Sequence, residues 1–158
     1  MTYGNLFAQP RQTTASTTII VDTTTAVSTS VFRVTGGPVA VWSFHGDIQV
    51  AFPNANVQFK LVFAPTATPS PVADLCTQTQ TFFTQWKVGG KFFLDSEIAQ
   101  PMQSSDIVSV RTNPSFVRFL SPGTVFHVND NSAGGTPAQM LYNILWSPMA
   151  ANSNVQGL

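Results

Sequence analysis

The sequence predicts an all-β protein: an antiparallel two-sheet β-sandwich, jelly-roll-like, with about 8–10 strands and little or no helix. Three observations predict it. Short runs of alternating apolar and polar residues recur along the chain, punctuated by Gly, Pro and Asn. Polarity comes from Thr, Ser, Asn and Gln rather than from charge, and Glu97 is the only Glu; the branched Cβ of Thr suits strands. No stretch carries the 3.6-residue apolar period of an amphipathic helix.

Residues 1–16 mix Gly4, Pro10 and a Gln/Thr cluster with isolated Leu6 and Phe7. They read as an arm without its own core, either a loose terminus or a segment docking on a neighbouring subunit through Tyr3, Leu6 and Phe7. Residues 17–149 read as one sandwich domain and 150–158 as a tail without a core signal. Within the domain the first strands fall at 17–22 and 27–34. In the second of these Val27, Thr29, Val31 and Arg33 share one face, opposite Ser28, Ser30, Phe32 and Val34.

Gly36-Gly37-Pro38 then breaks the chain before its longest strand, 39–50. Strict alternation places Val39, Val41, Ser43 and His45 on one face and Ala40, Trp42, Phe44 and Gly46 on the other, with Gly46 marking a bulge or bend. After a turn at 53–56, residues 57–63 alternate Val57, Phe59, Leu61 and Phe63 against Gln58, Lys60 and Val62. Three prolines in 64–71 make a surface loop, and 72–76 fits either a short strand or a helical turn. Residues 79–88 and 91–95 read as strands joined by a Gly89-Gly90 hairpin turn. Residues 96–105 read as a polar loop containing Pro101, and 106–110 and 115–120 as strands around Asn113-Pro114.

The most strongly patterned stretch is 122–148, two strands joined by a Gly-rich loop as a hairpin. In the first, Thr124, Phe126 and Val128 oppose Val125 and His127. In the second, Met140, Tyr142, Ile144 and Trp146 form a fully apolar face. The other face of that strand carries Leu141 and Leu145 as well as Asn143 and Ser147, more apolar surface than a single core needs. Leu141 and Leu145 are therefore expected to look outward, toward a subunit contact.

Seven basic and seven acidic residues cancel, so no steered nucleic-acid or membrane partner is expected. The apolar fraction of 43% argues against disorder, while the charged fraction is 9%, against roughly 25% in ordinary soluble domains. So neutral a surface repels its own copies weakly, which suits life in an assembly or outside the cell. Cys76 is the sole cysteine, so no disulfide forms within the chain; a small buried hydrophobe is its ordinary role. The first residues lack a secretory pattern, and no apolar run approaches the ~18–20 residues of a membrane-spanning helix.

Candidate chemistry is sparse. His45 and Asp47 are two apart, so ideal strand geometry places them on one face, and His127 with Asp130 would complete a metal site if the strands were neighbours. A histidine hydrogen-bonded within the core is the ordinary alternative. Asp95 and Glu97 are the closest carboxylate pair, but glycosidic chemistry needs two carboxyls facing across ~5–10 Å. Cys76 has no local histidine to activate it. Of Trp42, Trp86 and Trp146, Trp86, between Gln85 and Lys87, is the one expected at the surface, where it could stack on a sugar ring.

Gly36-Gly37-Pro38-Val39 entering a long strand, Ser121-Pro122-Gly123-Thr124-Val125, the Gly134-Gly135 loop and Leu145-Trp146-Ser147-Pro148 closing the last long strand, in a low-charge Thr/Asn/Gln chain, together resemble the small β-sandwich structural proteins of tailed bacteriophage virions. These serve as capsid decoration or head and tail accessory subunits. The resemblance implies a non-enzymatic protein without cofactors, made in the host cytoplasm and resident in the virion. It further implies a homo-oligomer, with a trimer favoured, that binds the major capsid protein on the assembled shell. The alternatives are a receptor- or carbohydrate-binding module of a tail or fibre, stacking ligand on Trp86, and a cupin-like metalloenzyme using His45, Asp47 and His127.

Overall fold

The computed structural model describes residues 9–19, 27–50, 58–66, 73–75, 88–89, 91–93, 103–105, 118–130 and 138–158. Among the described residues eleven strands run in order as β1 (Arg11–Ile19), β2 (Val27–Thr35), β3 (Val39–Val50), β4 (Gln58–Pro65), β5 (Ala73–Asp74), β6 (Lys91–Phe93), β7 (Gln103–Ser105), β8 (Arg118–Leu120), β9 (Gly123–Asp130), β10 (Ala138–Pro148) and β11 (Asn154–Gly157). Among the described residues there is no helix. The expected strand at 106–110 lies outside them, as does that at 79–88 except for Val88, which is in a turn.

The strands form two antiparallel sheets. One has six strands in the order β1-β10-β3-β6-β7, with β8 also pairing β3; the other has five, β11-β2-β9-β4-β5. The pairs β1·β10, β2·β9, β3·β8 and β4·β5 are nested one inside the next. That is the pattern of one long hairpin rolled up on itself, and rolling places β3 beside β10 and β4 beside β9. A rolled, nested double sheet is the jelly roll expected from the sequence.

Between the sheets lies one core. Phe32 meets Phe44 edge-on with centroids 5.6 Å apart, and Phe44 meets Tyr142 at 5.6 Å. Such offset aromatic contacts are favourable beyond the area they bury. The apolar face expected on the last long strand is the one that fills the core: Met140, Tyr142, Ile144 and Trp146 are all buried. On β4, Leu61 and Phe63 are buried in it too.

Several expectations are corrected. Residues 122–148 are not a hairpin: β9 lies in the five-stranded sheet and β10 in the six-stranded one. Apolar patterning gives each strand a buried face without saying which sheet it joins. Strict alternation also fails on β2 and β3. On β2 the register shifts between Ser30 and Phe32, so Val31, Phe32 and Val34 are all buried and Arg33 is exposed. On β3 the shifts fall at Trp42 and at Gln49, each skipped in the pairing with β10. Val39 and Val41 thereby share the inward face with Phe44 and Ile48, since one extra residue reverses the parity of all that follows.

Gly46, expected as the bulge, has regular pairing opposite Tyr142. Its role is clearance, because a Cβ there would stand 2.9 Å from both Tyr142 Cε1 and Met140 Cε. β1 starts at Arg11, so the second half of the expected arm is strand. Its pattern is hidden because, among its described side chains, Ala15 is the buried apolar one. Nine consecutive backbone partners on β10 hold it in place instead. Residues 103–105, expected within a loop, pair with β6.

Residues 150–158, expected as a tail, contain β11, which pairs with β2 and buries Val155. One buried apolar side chain in a polar stretch leaves little trace in the sequence. The entry to this strand is clasped to the Gly36-Gly37-Pro38 turn. Asn152 Nδ2 donates to Gly36 O (3.1 Å), Ser153 Oγ to Pro38 O (2.7 Å), and Met149 N to Pro38 O (3.1 Å).

Candidate functional surface

Residues directly opposite each other on paired strands share a face, so the registers map the outward side of the six-stranded sheet. Its rows, from β1 through β10 to β3, run Gln12–Leu145–Ser43, Thr14–Asn143–His45 and Ser16–Leu141–Asp47. Beyond them Ser147 pairs with Ala40, which pairs with Phe119 of β8.

A hydrogen-bonded polar strip runs through the middle. Gln12 Nε2 (3.1 Å) and Thr14 Oγ1 (2.9 Å) both donate to Asn143 Oδ1, which explains how an outward amide is 7% exposed. Trp42, the skipped residue, lies on the same side and donates from Nε1 to Ser147 Oγ at 2.9 Å. Ala40 and Ser147 are fully buried although they face away from the core cluster. Around this fixed indole are exposed apolar groups, Leu145 (36%) and Phe119 (62%). Leu141 is half-buried. The face can therefore offer apolar contact and uncharged hydrogen-bonding groups together.

The structure separates the three residues of the expected metal site. His45 and Asp47 lie on this outward face, between the inward positions Phe44, Gly46 and Ile48. His127 lies on the inner face of the other sheet, with no exposed surface. Its Nδ1 is hydrogen-bonded to the Tyr142 hydroxyl, which in turn donates to Met140 Sδ at 3.2 Å. His127 is thus a core histidine tying the two sheets together. The bulge at Trp42 does not restore the constellation, because a whole sheet lies between the two histidines. Asp130 closes β9 opposite Gln58. Among the described residues no three His, Cys, Asp or Glu side chains converge as a metal site.

Of the expected contact residues, Leu145 and Leu141 are both on the outward face. Tyr3, Leu6, Phe7 and Trp86 lie outside the described residues, as do Cys76, Asp95 and Glu97. Trp42 and Phe119 were missed. Alternation placed Trp42 with Phe44 as core or interface, and only the register shift turns its ring outward; Phe119 was one of two phenylalanines in a short strand.

Comparison with known proteins found no match among protein-family models, curated proteins or solved structures.

Proposed function

We propose that the protein is a non-enzymatic structural subunit of a tailed-phage virion, of the capsid decoration type, which binds the assembled shell and stabilises it. The observation that carries this reading is the outward face of the six-stranded sheet, which presents Leu145 and Phe119 to solvent in a chain only 9% charged. Apolar surface on a nearly chargeless protein suits a permanent neighbour. The nested wrap adds a fold-level analogy, since viral capsid domains use it, though lectins and cupins do as well.

The mechanism is mass action. A subunit that binds only the assembled lattice stabilises it in proportion to how tightly it binds, and an ordinary interface of this kind buries ~1,600 Å². The partners are further copies of the chain, in the trimer that the resemblance implies, and the major capsid protein. The test is mass spectrometry of purified particles with copy number, followed by stripping the protein and heating the shells. Many copies per particle and loss of shell stability on stripping are expected. Recovery of the protein only free in lysate would overturn the reading.

A second reading is favoured by the Trp42 ring, anchored by Ser147 and flanked by uncharged Ser43, with Phe119 exposed nearby. Aromatic rings beside amides and hydroxyls suit a neutral glycan. A glycan array distinguishes it: binding lost in Trp42→Ala supports a carbohydrate-binding module, and no binding by the wild-type chain removes it. Trp86→Ala tests the site expected from the sequence in the same assay.

A further inference from the structure

β11 continues the five-stranded sheet past β2 and lies beside β1, the end strand of the other sheet. We propose that residues 152–158 are an exchangeable strand, and that the groove between β1 and β2 accepts β11 from a second copy of the chain.

The contacts of this segment divide into two sets. The larger set is made with parts that every copy possesses. β11 pairs with β2 from Asn154 opposite Thr35 to Gly157 opposite Phe32, and Leu158 N donates to Val31 O at 3.0 Å. Thr13 Oγ1, from β1, donates to Val155 O at 3.2 Å. Asn152 and Ser153 donate to Gly36 O and Pro38 O. The smaller set ties the segment to its own preceding turn: Ser153 N to Ala150 O and Ala150 N to Ser153 Oγ, both 3.1 Å. Moving the segment to another copy re-makes the larger set and loses only the smaller. Exchange of an identical element is a low-cost route to an oligomer for this reason. Local concentration then decides between the closed and exchanged forms.

The groove also states what it accepts. Val155 is 4% exposed and fills it. At Gly157 a Cβ would stand 2.5 Å from Thr14 O and 3.3 Å from Ala15 Cα, too close for any side chain. Asn154 and Gln156 face solvent. The rule is thus an extended strand with an apolar second residue and a glycine fourth, added edge-on to β2. Residues 154–157 of the chain itself meet it, which commits the occupant to a second copy.

The test uses the full chain with Cys76→Ser, Arg33→Cys and Gln156→Cys. Positions 33 and 156 are exposed register partners, and opposed strand positions lie within disulfide reach. With the native turn, oxidation of dilute protein is expected to give an intrachain disulfide. Refolding at rising concentration, or deletion of Ala151 to shorten the turn, is expected to give disulfide-linked dimers. Monomers with intrachain disulfides under all these conditions would overturn the proposal.

A second measurement does not depend on the shortened turn. A labelled peptide of residues 152–158 is added to the otherwise native chain carrying Val155→Asp, whose own strand is disabled. The peptide is expected to bind, or to restore the folded signal if that chain is unfolded. A peptide with Gly157→Ala should be about tenfold weaker or worse, the cost of overpacking a filled site. No binding and no restoration, or equal action of both peptides, also overturns the proposal.

Discussion

His127 and Tyr142 are hydrogen-bonded across the core, Nδ1 to hydroxyl, joining β9 of one sheet to β10 of the other. Their rings are tilted at 60° with centroids 6.0 Å apart. A buried polar pair of this kind contributes little if satisfied and costs much if halved. Tyr142→Phe and His127→Phe are each expected to lose about 1–3 kcal/mol, and the double variant about 1 kcal/mol less than their sum. Urea unfolding of the four proteins measures the coupling; strict additivity would show that the bond does not act as a unit.

Neighbouring residues on β10 should respond oppositely. Ile144 is fully buried in the core, and Ile144→Ala is expected to cost about 2–5 kcal/mol. Leu145, one residue on, faces outward, and Leu145→Lys should change stability by no more than about 0.5 kcal/mol. If the proposed function holds, Leu145→Lys nevertheless weakens binding to capsids. Equal destabilisation by both substitutions would mean that the outward face is already covered within the chain.

Two glycines with positive φ separate backbone strain from collision. Gly89 (φ 87°) has open space where a Cβ would be, so Gly89→Ala should cost about 1–2 kcal/mol from conformation alone. Gly36 (φ 77°) would place its Cβ 1.9 Å from Asn152 O, against the clasp of the last strand. Gly36→Ala is therefore expected to cost more than about 3 kcal/mol, strain plus displacement of the 150–153 turn. Thermal unfolding orders the two variants, and a milder effect at position 36 would contradict the clasp.

The Asn143 strip holds β1, whose described side chains give little apolar anchoring. Asn143→Ala removes the acceptor of both Gln12 and Thr14. It is expected to cost about 1–3 kcal/mol and to speed amide exchange in β1 more than in β9. Uniform acceleration across both strands would place the loss in the core rather than in the strip.

The sequence by itself determined the all-β class, the two-sheet sandwich and the inward face of β10, because period-two alternation is a local property of the chain. Met140, Tyr142, Ile144 and Trp146 could be assigned to the core without knowing their neighbours. Tertiary structure alone decided which strands pair, and with it everything that rests on register. Two skipped residues on β3 and one on β2 reverse the faces that simple alternation assigns. β1 and β11 are strands because β10 and β2 offer them backbone partners, not because their own residues are strongly apolar. The pairing of β9 with β2 and β4, rather than with β10, places His127 against Tyr142 in the core and a whole sheet away from His45 and Asp47. Register and sheet membership are set by long-range hydrogen bonding and packing, which no single stretch of sequence contains; that is why the candidate surface around Trp42, Leu145 and Phe119 becomes visible only in the fold.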